Sequence, residues 1–212
     1  MGELILLRHG QTEWSAAGRH TGRTDIPLTP LGVTEAAALG RQLAPLAARG
    51  RLAAVFTSPA QRAVRTAELA GLGGPGTPGG LGGPAPKTDP DLWEWDYGGY
   101  EGVTTAQIQL DRPGWYLWRD GVIPGDGEHP GETVTEVGAR VDRVLKRAWS
   151  LLQDGHVVLV AHGHVLRVLT ARWLGLPPAE GRLFRLDTAT ISTLGTEHAV
   201  PVIATWNVPP PA

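Results

Sequence analysis

LILLRHG, residues 4–10, sets four aliphatic side chains in a row before an arginine, a histidine and a glycine. An uninterrupted apolar run of this length suits a strand covered on both faces, because a strand with one wet face would alternate. Such strands belong to α/β sheets, whose ligand crevice opens beyond the C-terminal strand ends. Arg8 and His9 are then held on rigid backbone where that crevice opens. A guanidinium fork beside an imidazole suits holding a phosphoryl group and attacking it. Gly10 is expected to let the chain turn sharply and to leave room for a ligand against bare backbone.

Outward from this stretch, strand and helix patterns alternate. Thr29 and Pro30 form an oxygen cap followed by proline, and an alanine-rich helix continues to about residue 48. Residues 52–56 read as a second buried strand, after which Ser58 and Pro59 repeat the cap signal and open a helix to about residue 70. Residues 71–86 are dominated by glycine and proline and are expected to be a surface loop. The aromatic segment LWEWDYGGYEG at 92–102 precedes short helices through residue 118. Thr133 and Glu136 have capping-box spacing and introduce a helix to about residue 153. Residues 156–161 form another strand, followed by a helix to about residue 174 and strand-like runs at 183–186, 190–194 and 200–206. The pattern predicts one α/β domain over residues 1–207, a three-layer sandwich with a mostly parallel central sheet and helices on both faces. Residues 208–212 read as a short proline-rich tail.

Composition narrows the function classes. At 212 residues the chain is long enough for one well-buried core. A net charge of -2 points to neither a nucleic-acid nor a membrane partner. The absence of cysteine excludes disulfides, thiolate catalysis and Cys-based metal sites. The first apolar run is too short for a signal sequence, and Leu6 stands where a myristoylation motif needs Ser or Thr, so a cytoplasmic protein is expected. Oligomeric state is left open, a homodimer included.

Two strands end in histidine followed by glycine, at His9-Gly10 and His162-Gly163. Parallel strands bring their C-terminal ends to one side, so the two imidazoles are expected to meet. A third strand end leads into a helix carrying Arg62 and Arg65 in its first turns, where anions are favoured. Arg62 lies nearer the strand end and is the expected ligand, while Arg65 is expected to be solvated or ion-paired. Phosphoryl transfer to nitrogen needs a neutral imidazole, cations on the non-bridging oxygens and an acid for the leaving group. Glu94, between Trp93 and Trp95, is one candidate acid, and Asp96 competes on spacing alone. A three-histidine metal site from His9, His162 and His164 is the rival use of these residues. Nearby arginines would repel a dication, so neither a metal nor another cofactor is expected.

Together these residues resemble the histidine phosphatase superfamily, also called phosphoglycerate mutase-like. The resemblance runs through LLRHGQTEW at 6–14, HTGRTDIPLTPLG at 20–32, TSPAQRAVRTA at 57–67, the 92–102 segment, PGET at 130–133 and VAHGHVLR at 160–167. It implies that His9 is the phosphorylated nucleophile, that Arg8, Arg62 and His162 form the phosphate pocket with Gly163 beside them, and that Glu94 rather than Asp96 is the proton donor. It further implies that Thr21 and Gly22 form a substrate-contacting turn and that Gln11 lines the pocket. EWDYGGYEGVTTAQI at 94–108 is similar to small bacterial acid phosphatases and, with WRDG at 118–121, to fungal sedoheptulose bisphosphatases. The short insert after the acid segment, and an ending without the mutases' basic tail, favour a phosphatase over a mutase, because a mutase must keep water from its phosphoenzyme. The expected substrate is a small phosphorylated metabolite. A second phosphate would need a further cation, and Arg23 and Arg119 are the candidates, while Trp115, Tyr116 and Trp118 read first as subdomain core.

Overall fold

The computed structural model describes residues 1–74 and 80–210; residues 75–79 of the expected surface loop and 211–212 of the expected tail lie outside the described residues. Six strands form one sheet: β1 (Leu4–Arg8), β2 (Leu52–Thr57), β3 (Lys87–Thr88), β4 (His156–Ala161), β5 (Ile191–Glu197) and β6 (Val200–Val208), in the order β3-β2-β4-β1-β5-β6. β1, β2, β3 and β4 pair in parallel, whereas β5 and β6 are antiparallel additions on one side. The sheet is therefore mostly parallel, as the alternation of strands and helices implied.

The aliphatic run of β1 splits between the two faces. Leu4 and Leu6 join a core with α6 (Val134–Leu151) and α7 (Gly163–Trp173), while Ile5 and Leu7 join one with α2 (Pro30–Arg49) and α3 (Gln61–Leu69). All four are essentially fully buried, which is why the run carries no alternation. Thr29 caps α2 and Thr133 caps α6 with the reciprocal Glu136 bond, as their spacing implied. The short helices α1 (Glu13–Ala16), α4 (Thr105–Asp111) and α5 (Leu117–Asp120) sit in the loops above the strand ends. Trp115 and Trp118 are buried there, and Tyr116 is exposed. Among the described residues no helix is long and apolar enough to cross a membrane.

Three sequence expectations need correction. α3 begins at Gln61, later than the Ser58 signal implied: the Ser58 hydroxyl accepts from the Ala60 amide and the His162 ring, and the Gln61 amide is capped by the Asp25 carboxylate. Residues 184–186 are irregular rather than a strand: the Leu186 carbonyl accepts from the Arg8 guanidinium and the Arg185 carbonyl from the Trp206 indole. Gly10 gives way to protein rather than to a ligand. A Cβ placed there would lie 2.4 Å from the Gly32 carbonyl oxygen, in the first turn of α2. Gly10→Ala is expected to lower the melting temperature by about 3–10 °C, because neither backbone can yield to the other. An unchanged melting curve would contradict this contact.

Candidate active site

The order β2-β4-β1 sets three adjacent strand ends side by side, and each delivers a polar side chain. Arg8 pairs with Ala161 and Thr57 with Val160, so Ser58, His162 and His9 emerge in one row. The His9 backbone is pinned on both sides: its N–H donates to Ala161 and its carbonyl accepts from Ala189, each at 3.0 Å. The His9 and His162 rings meet edge to face, 5.1 Å apart between centroids.

Hydrogen bonds fix both tautomers. Nδ1 of His9 lies 2.7 Å from the Gly10 carbonyl, which can only accept, so Nδ1 carries the proton and the Nε2 lone pair is free. Burial, then the charges of Arg62 and Arg8, hold this imidazole well below the usual histidine range. His162 accepts from Arg62 Nε at Nδ1 (3.2 Å), so its Nε2–H donates to the Ser58 hydroxyl at 2.7 Å. Arg62 is fully buried and further donates to the carbonyls of Thr24 and Gly22, each at 2.9 Å.

A cavity of about 190 Å³ opens over His9, walled by Arg8, Arg19, His20, Thr21, Glu94, Tyr97, Gly163, His164 and Arg167 among others. Arg8 passes so close to Gly163 that a Cβ on that glycine would stand 3.2 Å from the guanidinium carbon. Its terminal nitrogen donates to the Leu186 carbonyl, but its Nε–H is buried with no acceptor among the described residues. Such an orphaned donor costs about 1–3 kcal/mol, which an anionic oxygen placed in the cavity would relieve.

Glu94 is seated at the start of α7. Its carboxylate accepts from the amides of Val165 (2.8 Å), His164 (2.9 Å) and Trp95 (2.9 Å). Arg140, from the middle of α6, grips the main chain beneath it through the carbonyls of Asp91, Trp93 and Glu94 and is itself fixed by the Glu132 carboxylate. Asp96 faces elsewhere: it accepts from the amides of Gly98 and Gly131 and from Arg23. Geometry thus separates two carboxylates that spacing could not.

Not every expected residue reaches the wall. Arg62 and His162 form a layer behind His9. Gln11 turns to the Thr29 hydroxyl instead of the cavity. Gly22 lies behind the wall, its amide on Glu101 and its carbonyl on Arg62, whereas neighbouring Thr21 is part of the wall. Arg23 is tied to Asp96, and Arg119 pairs with Asp120 beside a separate cavity of about 390 Å³. Arg65 pairs with Glu68 on the surface. His20, Tyr97, His164, Arg19 and Arg167 stand on the wall without having been singled out for it. Arg167 was the most findable, lying one helical turn beyond Gly163 and hence on the same face. Among the described residues, no three His, Cys, Asp or Glu side chains converge on a point where they could hold a metal.

The site is rich in neutral imidazole. Burial foremost lowers His9, His20, His162 and His164, His20 to about 4. Unfolded histidines take up a proton near pH 6.5, so acid favours the unfolded chain. The stability from neutral His20 is complete above pH 6.5 and lost as pH falls toward 4, about 3 kcal/mol for this residue. The melting temperature is expected to drop between pH 7 and pH 4.5, and by less in His20→Phe. Equal pH dependence in the two proteins would contradict a half-buried neutral His20.

Comparison with known proteins agrees with this geometry. The sequence pattern of the histidine phosphatase superfamily (branch 1) matches residues 4–209. An acid phosphatase of Mycobacterium tuberculosis is 40% identical over 201 residues, covering 95% of this chain and 90% of its own length. The sedoheptulose 1,7-bisphosphatase of Saccharomyces cerevisiae is 35% identical over 191 residues, covering 81% and 67%. The solved structure of a functionally characterised open reading frame from Mycobacterium tuberculosis superposes with a TM-score of 0.85 at 37% identity, covering 99% of both chains. With its signature spanning nearly the whole chain and its fold shared, this chain belongs to the histidine phosphatase superfamily.

Proposed function

We propose that this enzyme hydrolyses small phosphate monoesters, without a metal, through a phosphohistidine on His9. The observation that carries the reading is a neutral His9 with its Nε2 lone pair free, beside the unpartnered Nε–H of Arg8. In the first step Nε2 attacks phosphorus and the bond to the leaving oxygen breaks, Glu94 giving that oxygen its proton. Arg8 holds the phosphoryl oxygens, helped by the Gly163 amide at the start of α7. Arg62 and His162 act from behind, adding positive charge and fixing the facing of His9. In the second step a water attacks the phosphohistidine, Glu94 takes its proton, and phosphate leaves with His9 again neutral. The cavity of about 190 Å³ suits a small metabolite, since sites for drug-sized ligands run to roughly 300–1,000 Å³.

Phosphate release from 3-phosphoglycerate, sugar monophosphates, sugar bisphosphates and p-nitrophenyl phosphate, with chelator present, tests the reading. Release that survives chelation supports it; isomerised glycerate without free phosphate overturns it in favour of a mutase. The acid limb of kcat/KM against pH is expected well below 6.5, because His9 stays unprotonated until pH falls past its lowered pKa.

A further inference from the structure

We propose that Asn207, near the end of the last strand, is a positioning residue for the reaction: it fixes the peptide group between Leu186 and Asp187, whose carbonyl in turn holds Arg8. This rests on the phosphatase reading above, in which Arg8 holds the phosphoryl oxygens, and adds a residue that touches no substrate. The two ends of that one peptide group are held from opposite sides. Its carbonyl accepts from a terminal nitrogen of Arg8, and its N–H donates to Asn207 Oδ1 at 2.8 Å. A peptide is planar, so a partner that fixes the N–H also fixes the direction of the carbonyl. Arg8 is thereby anchored at its tip, and its Nε–H, with no acceptor among the described residues, is left for a phosphate oxygen.

Asn207 is itself built into place. Ile191 pairs with Val208 and Thr193 with Thr205, so Trp206 and Asn207 together stand opposite Ser192 in a β-bulge. At the bulge Asn207 has a φ of +55°, a left-handed conformation that asparagine adopts more readily than most residues. Its backbone N–H donates to the hydroxyl of the fully buried Ser192 at 2.9 Å. Its Nδ2 donates to the Asp187 carboxylate at 2.8 Å. That bond, foremost, holds the Asp187 carboxyl below the usual carboxylate range, so the group stays ionised and can only accept. The amide of Asn207 therefore has one facing, with Nδ2 on the carboxylate and Oδ1 on the peptide N–H.

The neighbouring carbonyls are secured as well. Trp206, the other bulge residue, donates to that of Arg185, and the Thr190 hydroxyl donates to that of Asp187. The middle carbonyl, of Leu186, is the one given to Arg8. A hydroxyl pair on the same two strands supplies the comparison. Thr193 and Thr205 meet at 2.8 Å and join β5 to β6, and neither makes a hydrogen bond to residues 185–187.

The test reads vanadate affinity, with KM and kcat for p-nitrophenyl phosphate, below the thermal midpoint of each protein so that folded molecules are compared. Asn207→Gly keeps the left-handed backbone and removes both side-chain bonds. Asn207→Asp keeps the shape and sets two carboxylates against each other. Each is expected to weaken vanadate binding and raise KM about fivefold or more, with kcat within about twofold. Combining Asn207→Asp with Asp187→Asn exchanges amide and carboxylate and rebuilds both bonds, so affinity is expected to return to within about twofold of the parent. Thr205→Val loses the comparison bond and is expected to leave affinity unchanged. Parent-like affinity in Asn207→Gly overturns the inference, as does no recovery in the exchanged pair or an equal weakening by Thr205→Val. In each of these cases the parent's phosphatase activity stands. A parent that neither binds vanadate nor releases phosphate overturns the phosphatase reading and this inference with it.

Discussion

His9→Ala is expected to lose kcat by about four orders of magnitude or more while still binding the phosphate analogue vanadate. The size of the effect follows from how little else at the site could attack phosphorus. The ring of His162 has both nitrogens engaged, Nδ1 by Arg62 and Nε2 by Ser58. The His164 ring accepts the Tyr97 proton at Nδ1, which leaves no lone pair for attack. Among the described residues His20 also lines the wall, bonded through Nε2 to Thr105, but it is His9 whose free lone pair stands between two strand ends and beside a cation. Its side chain makes one hydrogen bond, to the neighbouring carbonyl, so removing it leaves the sheet register and the Arg62–His162 pair intact. A thermal midpoint close to that of the parent would show that the loss is chemical. Brief incubation with a radiolabelled ester, quenched in base, should trap label on the parent protein and none on the variant. Retention of more than about a hundredth of kcat would mean that water, not His9, attacks the ester.

How far these roles were legible in the sequence depended on which interaction sets each residue. The strand ends announce themselves because continuous apolar runs have few uses besides a doubly covered strand, and so Arg8, His9 and His162 could be brought together. The caps at Thr29 and Thr133 are local rules and held; the one at Ser58 did not, because α3 starts three residues later and its first amide is met by the Asp25 carboxylate from a distant segment. Gly10 was readable as a close approach, but not that the approaching group is the Gly32 backbone. Glu94 and Asp96 alternate on one segment and differ only in what comes across to meet them: α7 amides for one, Arg23 and the Gly131 amide for the other. The outer wall escaped for the same reason. Arg19 and Arg167 lie far apart in the chain and come to one cavity only through the tertiary fold.

Glu94→Gln is expected to lower kcat for alkyl phosphates by about 10²–10⁴, the range of a lost general acid, and to spare the first step for p-nitrophenyl phosphate. A nitrophenolate departs as a stable anion and needs no proton, whereas an alkoxide does. The second step needs Glu94 for both substrates, because water must lose a proton as it attacks. With the aryl ester the variant should therefore show a burst of one nitrophenolate per site followed by slow turnover, and phosphoenzyme should accumulate. The substituted amide also meets the Val165, His164 and Trp95 donors imperfectly, since one of its two ends cannot accept. That misfit lowers stability for every substrate alike and produces no burst, so the burst is the signature of lost proton transfer. Arg140→Met should give a weaker version of the same leaving-group pattern, because Arg140 touches no substrate and acts by gripping the carbonyls of Asp91, Trp93 and Glu94 under the carboxylate. Loosening that grip misplaces the acid without removing its proton, so Arg140→Lys, which keeps a charge near Glu132, should recover part of the loss. Equal losses for alkyl and aryl esters in Glu94→Gln, with no burst, would remove Glu94 from the reaction and leave it a brace for the start of α7.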